Sequence, residues 1–136
     1  MEHEAITNEI IGGAMKVHRV LGPGFLESVY QNALSQELRS RNLVVERGKR
    51  VAVRYEGVVV GEFSTDLLVE GVVLVENKAT RSFIPAHEAQ LLHYLTATGI
   101  DIGLLLNFGG ERLEYRRKWR VYRSRTRGTR GRIAAS

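Results

Sequence analysis

Between Asp66 and Lys78 the chain reads Asp-Leu-Leu-Val-Glu-Gly-Val-Val-Leu-Val-Glu-Asn-Lys. Two short apolar runs, Leu67-Leu68-Val69 and Val72-Val73-Leu74-Val75, flank Glu70-Gly71, and this pattern predicts a β-hairpin. The second run is almost wholly apolar, as suits a strand covered on both faces, yet it ends in Glu76-Asn77-Lys78. Residues two apart on a strand share a face, so Glu76 and Lys78 point the same way. A two-residue turn sets Asp66 opposite Val75, and a three-residue turn sets it opposite Glu76. Either register brings acid beside acid, with a lysine one step further on. Two such carboxylates repel unless a cation lies between them. A solvated strand end with one surface ion pair is the plainer reading of the same spacing.

The rest of the chain is read around that hairpin. Ile6, Ile10, Ala14, Val17 and Leu21 recur at helical spacing from Ala5 to Val20, with Gly12-Gly13 weakening the helix and Leu21-Gly22-Pro23-Gly24 ending it. His18 is expected at the surface or half-buried. A second helix is expected from Phe25 to Ser40, its apolar arc running through Leu26, Val29, Tyr30, Ala33, Leu34 and Leu38. Glu27 and Glu37 fall inside that arc, where a carboxylate is costly unless paired or bound to metal. Strands are predicted over 44–55, 58–69 and 72–78. In the first, Val51, Val53 and Tyr55 alternate with Arg50, Ala52 and Arg54, which predicts one drier and one wetter face. Ile84-Pro85 opens a third helix that ends before Gly99. Ile84, Leu91, Leu92 and Leu95 form its core stripe, and His87, Gln90 and Tyr94 share an adjacent face. Ile102 to Phe108 is a further apolar strand, and Gly109-Gly110 a turn. An edge strand follows, with Arg112, Arg116, Lys118 and Arg120 on one basic face; charged edges also block aggregation.

At 136 residues the chain has room for a single three-layer core. One domain is expected over residues 1–122, with a disordered basic tail at 123–136. Without cysteine, disulfides and thiolate zinc sites are excluded. No apolar run approaches a membrane span, and Met-Glu-His-Glu is no signal peptide, so a cytoplasmic protein is expected. Residues 1–111 hold 10 Lys/Arg against 14 Asp/Glu, whereas residues 112–136 hold 10 against 1. A tail so basic suits a polyanion partner or plain solvation.

Asp, nine residues, then Glu-x-Lys resembles the signature of the PD-(D/E)XK nuclease superfamily. Two flanking motifs strengthen the likeness. Gly24-Phe25-Leu26-Glu27-Ser28-Val29-Tyr30 is similar to the G-x-x-E-x-x-Y that names one branch of it, and Gln90-Leu91-Leu92-His93-Tyr94 to the Q-x-x-x-Y of its exonuclease-like members. The resemblance covers residues 5 to 120. It implies a restriction-endonuclease-like αβββαβ core, a mixed β-sheet sandwiched between helices, with an extra N-terminal helix.

The resemblance also implies a function, a metal-dependent nuclease acting on nucleic acid, with DNA as the expected partner. Asp66, Glu76 and the backbone carbonyl of Asn77 would be ligands to Mg²⁺ or Mn²⁺, for which hard oxygen donors are suited. Lys78 would hold the attacking hydroxide or offset charge on phosphorus. Glu27 would hold a water of the metal's shell or a second cation, and Gln90 and Tyr94 would orient water or a phosphate oxygen. Asn77 departs from the apolar residue usual between the Glu and the Lys. Tail residues Arg123, Arg125, Arg127, Arg130 and Arg132, with the edge-strand cations, would bind phosphate. The other reading is a non-catalytic nucleic-acid-binding or accessory protein that retains the fold. Homo-oligomers are compatible with either.

Overall fold

The computed structural model describes residues 3–120. Ile10, Ala14 and Val17 on helix α1 (Glu4–Leu21) bury against Leu34 and Leu38 of helix α2 (Glu27–Ser40). Gly12-Gly13, costly to a helix in isolation, lies where the two helices meet. A Cβ on Gly13 would stand 3.0 Å from Leu38 and 3.3 Å from Glu37. Glu37 reaches Arg41 at 2.9 Å and Lys16 at 3.2 Å, so its charge is paired at the seam. His18 is buried, contrary to expectation, with its Nε2 2.8 Å from the Gly110 carbonyl oxygen. That contact ties α1 to the turn after the fourth strand of the core.

Seven strands follow: β1 (Val45–Arg47), β2 (Arg50–Tyr55), β3 (Val58–Ser64), β4 (Leu67–Val69), β5 (Val73–Lys78), β6 (Ile102–Asn107) and β7 (Glu114–Trp119), with α3 (Pro85–Thr98) between β5 and β6. Five of them form a sheet in the order β1-β4-β5-β6-β7. Only β5 and β6 are parallel, and a parallel pair needs a long crossover, which α3 supplies. Val73 and Val75 pack with α1 and α2, while Leu74 and Leu105 pack with Leu91 and Leu95 of α3. The mixed sheet therefore lies between helical layers, as predicted, and β5 is its buried central strand.

Three expectations need correction. The long strands predicted over 44–55 and 58–69 are each broken, at Gly48-Lys49 and Thr65-Asp66. Thr65 N–H still donates to the Lys49 carbonyl at 2.9 Å, but beyond that point β2 and β3 leave the main sheet as a separate two-stranded arm. Of the face expected to be drier along β2, only Val51 is half-buried, and Val53 and Tyr55 are exposed. On α3, Leu91 and Leu95 are buried as expected, but Ile84 precedes the helix and is exposed. No described helix is long and apolar enough to cross a membrane.

Candidate active site

The β4–β5 register pairs Leu67 with Val75 and Val69 with Val73. The turn therefore has three residues, and the next step of the ladder sets Asp66 opposite Glu76. Asp66 stands at the bend where the arm departs, one residue before β4 begins. Two backbone bonds lock the pair: Asn77 N–H donates to Asp66 Oδ2 at 2.7 Å, and Asp66 N–H donates to Glu76 Oε2 at 3.2 Å. Gln31 of α2 adds a bond from Nε2 to the Asp66 carbonyl oxygen at 2.9 Å.

These acids are short of water. Glu76 is only 5% exposed, and burial pushes its carboxyl up to about 8, with the neighbouring Asp66 charge adding to the rise. Burial likewise raises Asp66, against the lowering effect of the Asn77 amide bond. The solvated strand end is thereby excluded. Lys78 shares the face of Glu76, and its Nζ donates to Gln90 Oε1 at 2.9 Å. Four residues along α3, Tyr94 stacks on Phe63 of the arm, ring centroids 3.9 Å apart. Burial raises the Tyr94 phenol, and the charges of Glu76 and Asp66 raise it further. Gln90 and Tyr94 thus join the acids and the lysine. His87 does not, because its Nδ1 accepts the Ile84 N–H at the helix start, at 3.2 Å.

Glu27 is exposed rather than sunk in an apolar arc. The helix starts at Glu27, so Leu26 lies outside it as its N-cap. Gln31, one turn further along the same helix face, bonds the Asp66 carbonyl, so Glu27 stands on the side of the two acids. Tyr30 holds it there. Fully buried and stacked on Phe108 at 4.8 Å, Tyr30 donates its hydroxyl to the Gly22 carbonyl at 2.6 Å and accepts the Phe25 N–H at 3.1 Å. Gly24, at φ 115°, lets the loop double back between those anchors, a backbone conformation closed to other residues. The Gly and Tyr of G-x-x-E-x-x-Y are therefore the brace of Glu27.

Among the described residues no three acid or histidine side chains converge as a self-sufficient metal site. A cation between Asp66 and Glu76 needs a further oxygen from the main chain or from water. The buried Glu76 and half-buried Asp66 carboxylates fit such a cation, since divalent charge relieves both their repulsion and their desolvation. The Asn77 side chain faces the other way, into the α1–α2 layer. It is 1% exposed, and neither amide atom has a hydrogen-bond partner.

The family model of the PD-(D/E)XK nuclease superfamily matches residues 4–118. The chain belongs to the PD-(D/E)XK nuclease superfamily. Three solved chains share similarity with it. One is the crystal structure of SSO0001, with a TM-score of 0.57 and 19% identity over 73% of this chain and 52% of that one. The likeness is one of fold, and this superfamily member spans about half the length of that protein. No curated protein matches the sequence.

Of the cations predicted to meet nucleic acid, Arg116 and Lys118 on β7 are both paired with Glu88 of α3, and Arg116 also lies 5.2 Å over the Phe83 ring. Arg120 bonds Asp101 at 2.8 Å. Arg112 is exposed. Arg123, Arg125, Arg127, Arg130 and Arg132 lie outside the described residues. Sequence reasoning missed Gln31, Phe63 and Asn107. The last is fully buried; its Oδ1 accepts Thr80 N–H at 2.9 Å and its Nδ2 donates to Glu114 at 2.9 Å. It fixes the end of β5 beside Lys78. An Asn closing an apolar strand was the available signal.

Proposed function

We propose that this chain is a divalent-metal-dependent nuclease that hydrolyses phosphodiester bonds of DNA, in the branch named for G-x-x-E-x-x-Y. The observation that carries the reading is the pair of half-buried Asp66 and buried Glu76, with Lys78 on the face of Glu76. Two acids facing a phosphate are of no use to a pure binder, but they suit an enzyme that recruits a cation. Asp66, Glu76 and the Asn77 carbonyl would hold Mg²⁺ or Mn²⁺, which would supply Lewis acidity to the phosphodiester and to water.

The protein's own groups do the rest. Lys78, aimed by Gln90, holds the nucleophile or offsets the charge that develops on the phosphate oxygens. Tyr94 keeps its proton, because burial and the two acids oppose ionisation, and so it donates a hydrogen bond to water or phosphate rather than acting as a base. Glu27 takes a water or a second cation at the open rim of the site. The test is cleavage of single-stranded, duplex and branched DNA, and of RNA, by the full chain with Mg²⁺ or Mn²⁺. Turnover should fall by roughly 10²- to 10³-fold in Lys78→Ala, the usual loss on removing one transition-state donor. Wild-type cleavage no faster than that of Lys78→Ala on every substrate decides instead for a non-catalytic binding module.

A further inference from the structure

Phe25 and Leu26 immediately precede Glu27, and they are 48% and 78% exposed. Their loop is not loose. Phe25 N–H is held by the Tyr30 hydroxyl at 3.1 Å, and its ring meets the Tyr30 ring edge-on at 6.1 Å. Leu26 is the N-cap of α2, and its carbonyl accepts Val29 N–H at 3.0 Å. A braced loop thus presents two large apolar side chains to water, next to Glu27 and one helical turn before Gln31, whose Nε2 donates to the Asp66 carbonyl at 2.9 Å.

The charge inventory narrows what can meet them. Residues 1–120 carry 15 basic and 15 acidic side chains, and three cations of the basic edge, Arg116, Lys118 and Arg120, are already paired with Glu88 and Asp101. Tracking a duplex means neutralising a series of phosphates, for which this domain is poorly supplied. Stacking on a nucleobase needs no cation, and every base offers a π-face when unpaired. In an intact duplex those faces are already covered by neighbouring bases.

We infer that Phe25 and Leu26 form a base-stacking shelf, and that the substrate is a nucleic acid with an unpaired nucleotide beside the scissile phosphate. This deepens the nuclease reading and rests on it. The probe is a short oligonucleotide carrying 2-aminopurine, single-stranded or in a blunt duplex, titrated in Mg²⁺ into full-length Lys78→Ala, in which turnover is suppressed. The single strand should bind about tenfold more tightly than the duplex and its fluorescence should be quenched, the scale of one stacked base. Adding Phe25→Ala and Leu26→Ala should remove that preference and the quenching, while Phe25→Trp should keep both. Leu26→Ala alone, at an exposed position that leaves the core intact, should give part of the loss. Equal affinity for the two forms, no binding to either, or the same loss on both in the shelf variants overturns the proposal. Wild-type cleavage reports separately. Cleavage without preference for unpaired substrate leaves the nuclease and discards the shelf; binding preference without cleavage leaves the shelf and discards the nuclease.

Discussion

Asp66 and Glu76 face each other across the β4–β5 hairpin, the backbone N–H of Asp66 donating to Glu76 Oε2 at 3.2 Å. The hairpin was shaped by its apolar residues, Leu67 and Val69 against Val75 and Val73, all fully buried. Hydrophobic burial therefore holds together two carboxylates that would separate if left to electrostatics. At a few kcal/mol for each aliphatic side chain, four such residues outweigh the repulsion. The site stores that repulsion until a cation or a proton removes it.

A pH dependence of stability follows. The Glu76 carboxyl rises from an ordinary value of 4.5 to about 8 in the folded state. Between those values the folded chain binds more protons than the unfolded chain, so its stability falls as pH rises through that window. The slope is at most about 1.4 kcal/mol per pH unit for one proton. Denaturant unfolding in EDTA should therefore give a less stable protein at pH 7.5 than at pH 5.5. Glu76→Gln should flatten the difference, and a slope as steep in the variant as in the wild type would assign it elsewhere.

Metal binding should release the same proton. At pH 7 a carboxyl titrating near 8 is mostly protonated, and a ligand must be deprotonated to bind. Calorimetry of Mn²⁺ binding in two buffers of different ionisation enthalpy should report the release of close to one proton. Asp66→Ala should lose most of the affinity. Equal Mn²⁺ affinity in both proteins would remove Asp66 from the site.

Asn77 gives a prediction of the opposite sign. Its buried side-chain amide has no partner, and an unsatisfied buried polar group costs about 1–3 kcal/mol. Asn77→Leu, close in shape and apolar, should raise the unfolding free energy by about 1–2 kcal/mol. The carbonyl proposed as ligand is unchanged, so Mn²⁺ affinity should persist. Loss of stability in this variant would mean that the amide has a partner in solution.

The hairpin, the central strand and the Asp–Glu–Lys grouping were legible because they rest on local alternation and on one short turn. The arm was not. β-Propensity runs unbroken from Arg50 into Tyr55, and nothing in a period of two says whether a face meets a core or water. Glu27 was misjudged for a related reason. An apolar arc begun at Leu26 assumes helix there, whereas α2 starts one residue later, and Glu27 in its first turn is exposed. The basic face of β7 was seen correctly as a row of cations, but Glu88 and Asp101, remote in sequence, already hold three of them. Long-range pairing leaves no mark on a single sequence.

That pairing sharpens the role expected of the C-terminal segment. Residues 1–120 are balanced in charge, so the five arginines beyond, Arg123, Arg125, Arg127, Arg130 and Arg132, account for the whole net charge of +5. Salt-sensitive, sequence-independent affinity for nucleic acid should therefore come from that segment, with chemistry left to the acids and Lys78. Deleting the residues after Tyr122 removes all five. Each phosphate neutralised contributes about −0.7 to the slope of log K against log salt on single strands and about −0.9 on duplex DNA. With most of the five in contact, the slope should shrink by about 3 on single strands and by about 4 on duplex. Cleavage at saturating substrate should barely change, because binding shared equally by ground and transition states does not raise turnover. A truncated protein with the full-length salt slope would place the phosphate contacts on the domain.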